Sequence, residues 1–248
     1  MTQTDKKLFI SDLHLSDSRP DLLQAFEHFI DSTARTAPSL YILGDLFNVW
    51  IGDDHEDETS SRVCRSLRNL AQDGTDIFIM HGNRDFLIGD DFIARCRAKF
   101  LPDPWMIQQD NQNILLMHGD TLCTLDTEYM QFRAMVRDAS WQTGFLAKPL
   151  AERLAFAEQA RQQSKSMSSN KAQDIMDVTP QAVTQKMLEH GADILIHGHT
   201  HRPAEHEVDL GKDTEKAKRI VLGDWDKYGW YLELANGILT SNRFLITP

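Results

Sequence analysis

Cysteine is scarce in this chain of 248 residues: Cys64, Cys96 and Cys123 are odd in number and lack paired-thiolate spacing. That excludes a disulfide framework and a cysteine-rich zinc site, and leaves reduced, structural cysteines as the expectation. Long apolar runs are also missing. None approaches the roughly 20 residues that a bilayer-spanning helix needs, which excludes an integral membrane protein of that kind. The N-terminal MTQTDKKLFISD holds one strand-length apolar stretch and no small-residue cleavage site, so no secretory signal is read there and the chain is expected in the cytoplasm. Basic residues are outnumbered, 26 Lys and Arg against 37 Asp and Glu, for a formal net charge of -11. That balance opposes affinity for a nucleic-acid backbone and suits a protein that collects divalent cations. Internal repeats and low-complexity tracts are absent. The length fits a single domain spanning 1–248, with room for one sizeable insertion.

Against these absences stand ten histidines, and their positions carry the argument. Leu8-Phe9-Ile10 ends in Ser11-Asp12-Leu13-His14, and the pattern of a short apolar run stopping at polar residues recurs. Leu40-Tyr41-Ile42-Leu43 meets Gly44-Asp45; Ile77-Phe78-Ile79-Met80 meets His81-Gly82-Asn83-Arg84-Asp85; Ile114-Leu115-Leu116-Met117 meets His118-Gly119-Asp120; Ile194-Leu195-Ile196 meets His197-Gly198-His199-Thr200-His201. Such runs fit strands buried on both faces of helix-covered sheets. Helical periodicity fills several gaps: Leu22, Leu23, Phe26, Phe29 and Ile30; Val63, Leu67 and Leu70; and a helix opening at Pro180 and closing at Gly191. After Pro203 the texture becomes that of antiparallel strands, with Asn236-Gly237 as a hairpin turn. The stretch from about 121 to 178 has no strand signal and reads as a helical insertion, with a flexible loop expected at Ser164–Ser169.

Side chains at the ends of neighbouring buried strands converge on one sheet edge, where α/β proteins place their sites. Asp12, His14, Asp45, Asn83, His118, His197 and His199 can therefore meet. Imidazoles, carboxylates and a carboxamide without cysteine suit Mn²⁺, Fe²⁺ or Zn²⁺. Seven such ligands exceed one open site and match two ions sharing a bridging carboxylate. Two ions about 3.5–4 Å apart can hold a hydroxide and clamp phosphoryl oxygens for in-line attack, so no side-chain nucleophile is required. Each block alone has a plainer reading: Asp12-Leu13-His14 as a turn with a capping aspartate, Gly44-Asp45 as a simple turn. Three histidines after a buried strand are harder to dismiss, and the ordered set outweighs its members. His28, His55, His190 and His206 lack this context and read as surface or cap residues; His201 has spacing for a supporting role.

The ordered set Asp-x-His, Gly-Asp, Gly-Asn, His-Gly, His-Gly-His resembles the calcineurin-like metallophosphoesterase superfamily. The resemblance implies an α/β (α+β) sandwich of two mixed sheets flanked by helices, here with a helical lid insertion. It further implies one ion on Asp12, His14 and His199, a second on Asn83, His118 and His197, and Asp45 bridging, with catalysis by Asp45, Asn83, Arg84, His118 and His197. The common family pattern continues Gly-Asn-His, whereas here Arg84 follows Asn83. A histidine can protonate a leaving alkoxide; arginine cannot, and offers a bidentate clamp on phosphate oxygens instead. A leaving group that is itself a phosphate needs little protonation, so Arg84 fits cleavage of a pyrophosphate.

Longer strings, among them Trp50-Ile51-Gly52-Asp53-Asp54, Met117-His118-Gly119-Asp120-Thr121-Leu122-Cys123 and His197-Gly198-His199-Thr200-His201-Arg202-Pro203, are similar to one branch, the pyrophosphohydrolases of UDP-2,3-diacylglucosamine in lipid A synthesis. That likeness implies two Mn²⁺ ions, water attack at the α-phosphorus, and release of UMP and 2,3-diacylglucosamine 1-phosphate. It implies substrate contacts at Asn83, Arg84, Asp126, Ser164, Ser168, Lys171 and His197, a peripheral position on the cytoplasmic face of the inner membrane, and no nucleic-acid partner; a monomer is favoured. From Asp126 to Lys171 the segment carries net charge +2, leaving -13 elsewhere. With Trp141, Phe145, Leu146, Leu150, Leu154 and Phe156, it suits an anionic lipid near an anionic membrane, or simply packs on the core. The alternatives are another phosphodiester or pyrophosphate as substrate, and a non-catalytic scaffold; the latter should have lost ligands, and all seven are present.

Overall fold

The buried runs become the central strands of two sheets. In a computed structural model, residues 5–170, 175, 177–211 and 217–247 are described, the side chains of 164–170 excepted. One sheet comprises β1 (Lys7–Ile10), β2 (Ser39–Leu43), β3 (Asp76–Met80), β4 (Lys99–Leu101), β10 (Tyr228–Ala235) and β11 (Ile238–Leu245), in the order β11-β10-β1-β2-β3-β4. The other comprises β5 (Trp105–Gln109), β6 (Gln112–Met117), β7 (Ile194–His197), β8 (Ala204–Val208) and β9 (Ala217–Val221), in the order β5-β6-β7-β9-β8. Pairing from β1 through β4 is parallel, as it is from β6 through β7 to β9. Both sheets are mixed: β10 joins β1 antiparallel, and β5 and β8 close the second sheet antiparallel.

The period of two explains the layering. Phe9, Tyr41, Leu43, Met80, Leu116, Ile196 and Ile220 fill the space between the sheets. Their neighbours Leu8, Ile10, Leu40, Ile42 and Ile79 point to the opposite face, under α1 (Pro20–Ser32), α2 (Glu58–Gln72) and α3 (Asp90–Cys96). Leu115, Met117 and Leu195 face outward beneath α7 (Pro180–His190). Helix boundaries follow sequence chemistry. Pro180 sits in the first turn of α7, and Gly191 ends it in the left-handed region at φ 61°. Asp57 caps α2 in a reciprocal box with Ser60. Asn236 and Gly237 both take positive φ, which joins β10 to β11 in the tight turn expected of them.

Between β6 and α7 lie three helices, α4 (Thr127–Val136), α5 (Ala139–Leu146) and α6 (Leu150–Asn170). Ser164–Ser169 belong to α6, so the loop expected there is corrected to helix. The upstream run of Ala, Glu, Gln and Arg favours helix and neither Pro nor Gly interrupts it, so serines of middling propensity are carried along. A second correction concerns β9, which pairs antiparallel with β8 but parallel with β7, and so belongs to the buried half of its sheet. Among the described residues, no helix is long and apolar enough to cross a membrane. All three cysteines are buried.

Candidate metal centre

The loops leaving β1, β2, β3, β6 and β7 meet at the carboxyl ends of their strands. Nine non-glycine described residues have positive φ, and five are Asp12, His14, Asp45, His199 and His201. Such conformations are uncommon and persist where surrounding structure enforces them, so their concentration here marks the site. Close approach of two loops explains the glycines: a Cβ on Gly44, itself at φ 90°, would stand 2.6 Å from Gly82 Cα.

Asp12, Asp45 and His118, all fully buried, offer ligand atoms within 4.8 Å of one another, as do Asp12, His14 and His201. His14 Nδ1 and His118 Nε2 each lie 3.8 Å from an Asp45 oxygen. Asn83 Oδ1 lies 2.9 Å from both His118 Nε2 and His199 Nδ1, adding two more candidate ligands to the cluster. Six of the seven expected ligands are thus gathered. His197 is buried beside them, but its Nδ1 is 2.9 Å from Gly198 O and its Nε2 3.4 Å from Arg219 Nη1. His201 stands close instead, with Nε2 3.1 Å from His14 Nε2 and Nδ1 3.5 Å from Asp224.

The donors fit divalent cations. Asp12 Oδ1 and His14 Nδ1 are sealed from water without a hydrogen-bond partner, which is costly unless a cation takes them. Electrostatics agree. Burial alone would raise the Asp12 carboxyl, yet His201, whose Nε2 stands 3.5 Å from Oδ1, and the nearby His118 hold it well below the usual range. Burial raises Asp45, only partly opposed by His118, with Asp12 adding to the rise. Burial pulls His14 and His197 down to about 3 and His199 to about 4, keeping them neutral as ligands must be. For His118 burial works in the same direction, but Asp45 and Asp12 overcome it and raise the imidazole to about 9. A divalent ion would take over the counter-charge that this proton supplies.

Several supports went without a role in the sequence reading. Buried Asp85 accepts from the backbone N–H of Gly82 (2.8 Å), Leu46 (2.7 Å) and Asp45 (3.3 Å), tying the loops after β2 and β3 together. Its place directly after Asn83-Arg84 was the available signal. Ser11 Oγ donates to Asp12 Oδ2 at 2.6 Å, and His199 N donates to the same oxygen at 2.9 Å. Asp120 accepts from Tyr129 (2.5 Å) and Arg133 (2.7 Å) of α4, and Arg137 Nη2 donates to Gly82 O at 2.7 Å while its guanidinium lies over Phe86. Nothing local in the sequence announces that α4 braces the ligand loops.

Of the expected substrate contacts, Arg84 lies at the cluster, its Nε 3.8 Å from Asp45 Oδ2 and its backbone N–H on Asp45 Oδ1 at 2.8 Å. Asp126 caps α4, accepting from Tyr129 N at 3.1 Å. Lys171 and the side chains of Ser164 and Ser168 lie outside the described residues. The apolar residues of the helical segment divide. Trp141, Phe145 and Phe156 stack together onto the core, whereas Leu146, Leu150 and Leu154 are exposed, with Leu125 and Met135 nearby in sequence also exposed. Buried Arg153 pins α6 to Ile51 O at 2.6 Å and to Asp54.

Carboxylates, imidazoles and a carboxamide converging at the edges of two mixed sheets define a metal-dependent hydrolase of the phosphoesterase class. The chain belongs to the calcineurin-like phosphoesterase family, which matches residues 6–203. It is 51% identical over 218 residues to the UDP-2,3-diacylglucosamine hydrolase of Chromohalobacter salexigens, covering 88% of each chain. To the protein of that name in Pseudomonas aeruginosa it is 51% identical over 231 residues, covering 93% of this chain and 95% of the relative. For that of Cellvibrio japonicus the identity is 48% over 236 residues, covering 95% and 98%.

Proposed function

We propose that this protein hydrolyses the pyrophosphate bond of UDP-2,3-diacylglucosamine in lipid A synthesis, giving UMP and 2,3-diacylglucosamine 1-phosphate. The observation that carries the reading is Arg84 beside Asp45, in the middle of the ligand cluster, where the common family pattern has a histidine. The shared name of relatives about half identical over nearly the whole chain supports it.

Two ions, Mn²⁺ by the family likeness, would be held by Asp12, His14 and His199 and by Asn83, His118 and His197, with Asp45 between; when bound they supply Lewis-acid charge and lower the pKa of water. Arg84 then clamps the phosphate oxygens that gain charge as the anhydride breaks, and the leaving phosphate departs without a proton from this residue. Asn83 orients through its carboxamide, and His197 adds a neutral imidazole. Asp126, Ser164, Ser168 and Lys171 are assigned to the substrate's sugar and phosphate. The exposed Leu146, Leu150 and Leu154 suit acyl chains, and with the cationic charge of the 126–171 segment they suit a peripheral seat on the inner face of an anionic membrane. Residues about 121–178 act in this reading as a lid on a single-domain monomer.

With Mn²⁺ the purified protein should release UMP from UDP-2,3-diacylglucosamine and only poorly from UDP-glucosamine lacking acyl chains; equal turnover of the two would sink the lipid assignment. Asp45→Ala should abolish both reactions, and full activity in that variant would sink the metal mechanism.

A further inference from the structure

In the reading above α4–α6 take the lipid, whereas a cavity lined from β8, β9 and the loop after β7 has no assignment. It measures about 230 Å³, and its walls include Asp177, Thr200, Arg202, His206, Arg219 and Val221. Strand register builds it. Val221 stands opposite His197 on β7, and Arg219, two residues back on the same face, stands opposite His206 on β8. Arg219 Nη1 reaches to 3.4 Å from His197 Nε2, longer than the common hydrogen-bond range, so the guanidinium links the cavity to the metal centre without being fixed there. Among the described residues it has no carboxylate within ion-pair distance. The opposite wall differs in kind. Asp177 accepts from Arg202 Nη1 at 2.5 Å and from Val178 N at 2.7 Å, and Thr200 Oγ1 is shielded from water without a hydrogen-bond partner.

These groups match one class of occupant. A cation next to His197 calls for an anion close to the reacting centre. An anchored carboxylate and an unsatisfied hydroxyl call for a neighbouring part that donates and accepts hydrogen bonds. The volume lies below the roughly 300 Å³ at which sites for drug-sized ligands begin, which suits a sugar with a flat ring and excludes a diacylated glucosamine. Acyl chains are further opposed by the charges in the walls.

We propose that this cavity is the subsite for the nucleoside monophosphate half of the substrate, with Arg219 meeting the α-phosphate and Asp177 and Thr200 receiving the ribose and base. The proposal rests on the reaction read above, and it gives the two products separate subsites.

Calorimetric titration of UMP into the Mn²⁺-loaded full chain tests it without reference to turnover. Arg219→Ala, Asp177→Asn and Ala204→Trp, the last narrowing the cavity from β8, should each weaken UMP by about tenfold, the scale of one lost charge-assisted contact. Arg219→Lys should recover part of the loss, and affinity for 2,3-diacylglucosamine 1-phosphate should move by less than about twofold in each, since that product makes no contact here. Unchanged UMP affinity in Asp177→Asn and Ala204→Trp would overturn the proposal. So would orthophosphate displacing UMP at equal concentration, because that site would recognise an anion only, and so would a wild-type protein that binds no UMP. A wild-type protein that binds UMP in this pattern yet does not cleave UDP-2,3-diacylglucosamine would leave the nucleotide subsite standing and overturn the choice of reaction.

Discussion

Arg84 carries a fixed charge at the position where the common family pattern has a group able to give up a proton. Its contribution should therefore be electrostatic and independent of pH. Arg84→Ala should lower kcat by about 10²–10³-fold, the usual effect of removing one donor aimed at developing charge, and Arg84→Lys should recover only part because it lacks the planar fork. Arg84→His should shift the ratio of rates toward phosphodiesters with alkoxide leaving groups; an unchanged ratio in paired assays would contradict the account of this residue. Asp103 makes a different prediction. Burial, then the charge of Asp120, raises its carboxyl to about 6, and its Oδ1 is sealed without a partner. A raised acid binds its proton more tightly in the folded state than unfolded, so stability is lost as pH rises from about 4 through about 6. Asp103→Asn should gain about 2 kcal/mol at pH 7.5, discounting for residual solvent contact, and nothing near pH 4. Denaturant melts at the two pH values check this, and equal gains at both would refute it.

At the scale of elements, the residues that could be read from sequence were those whose surroundings are local. Five apolar runs ending in polar residues announced β1, β2, β3, β6 and β7, and the loops after them carry six of the expected ligand residues, which meet in space. The edge strands β4 and β5 are short and largely exposed on one side, so no uninterrupted apolar run marks them in the sequence. His197 was placed by its spacing, yet the direction of its ring nitrogens depends on Gly198 and on Arg219 from a strand 22 residues away. The bracing of the site by α4 is equally non-local. Arg137 closes that helix, donates to Gly82 O and lies over Phe86, so it should hold the Asn83-Arg84 loop in register. Arg137→Ala should lower kcat by about tenfold with a smaller change in KM, because the loss falls on positioning rather than on substrate contact. Arg137→Lys should restore part of it. A rise in KM alone would point to a binding role.

Across the whole molecule, the site leaves a stability problem that cations are suited to relieve. Asp12 and Asp45 are both buried, burial and then the charge of Asp12 raise Asp45, and the chain already carries a formal charge of -11. Without an ion, His118, His201 and Arg84 are their internal counter-charges. Any ion that binds the folded state and not the unfolded chain stabilises it by mass action, about 4 kcal/mol at a thousand times its Kd. For a domain of this length each kcal/mol moves Tm by roughly 2–4 °C, so saturating Mn²⁺ should raise Tm by on the order of 10 °C and chelation should reverse the change. Asp45→Ala separates this from general screening. Removing one of the two carboxylates relieves repulsion in the ion-free protein, so that variant should melt at or above wild type in chelator and gain little from Mn²⁺. Equal Mn²⁺ shifts in the two proteins would mean that the ions stabilise the fold from somewhere other than this centre.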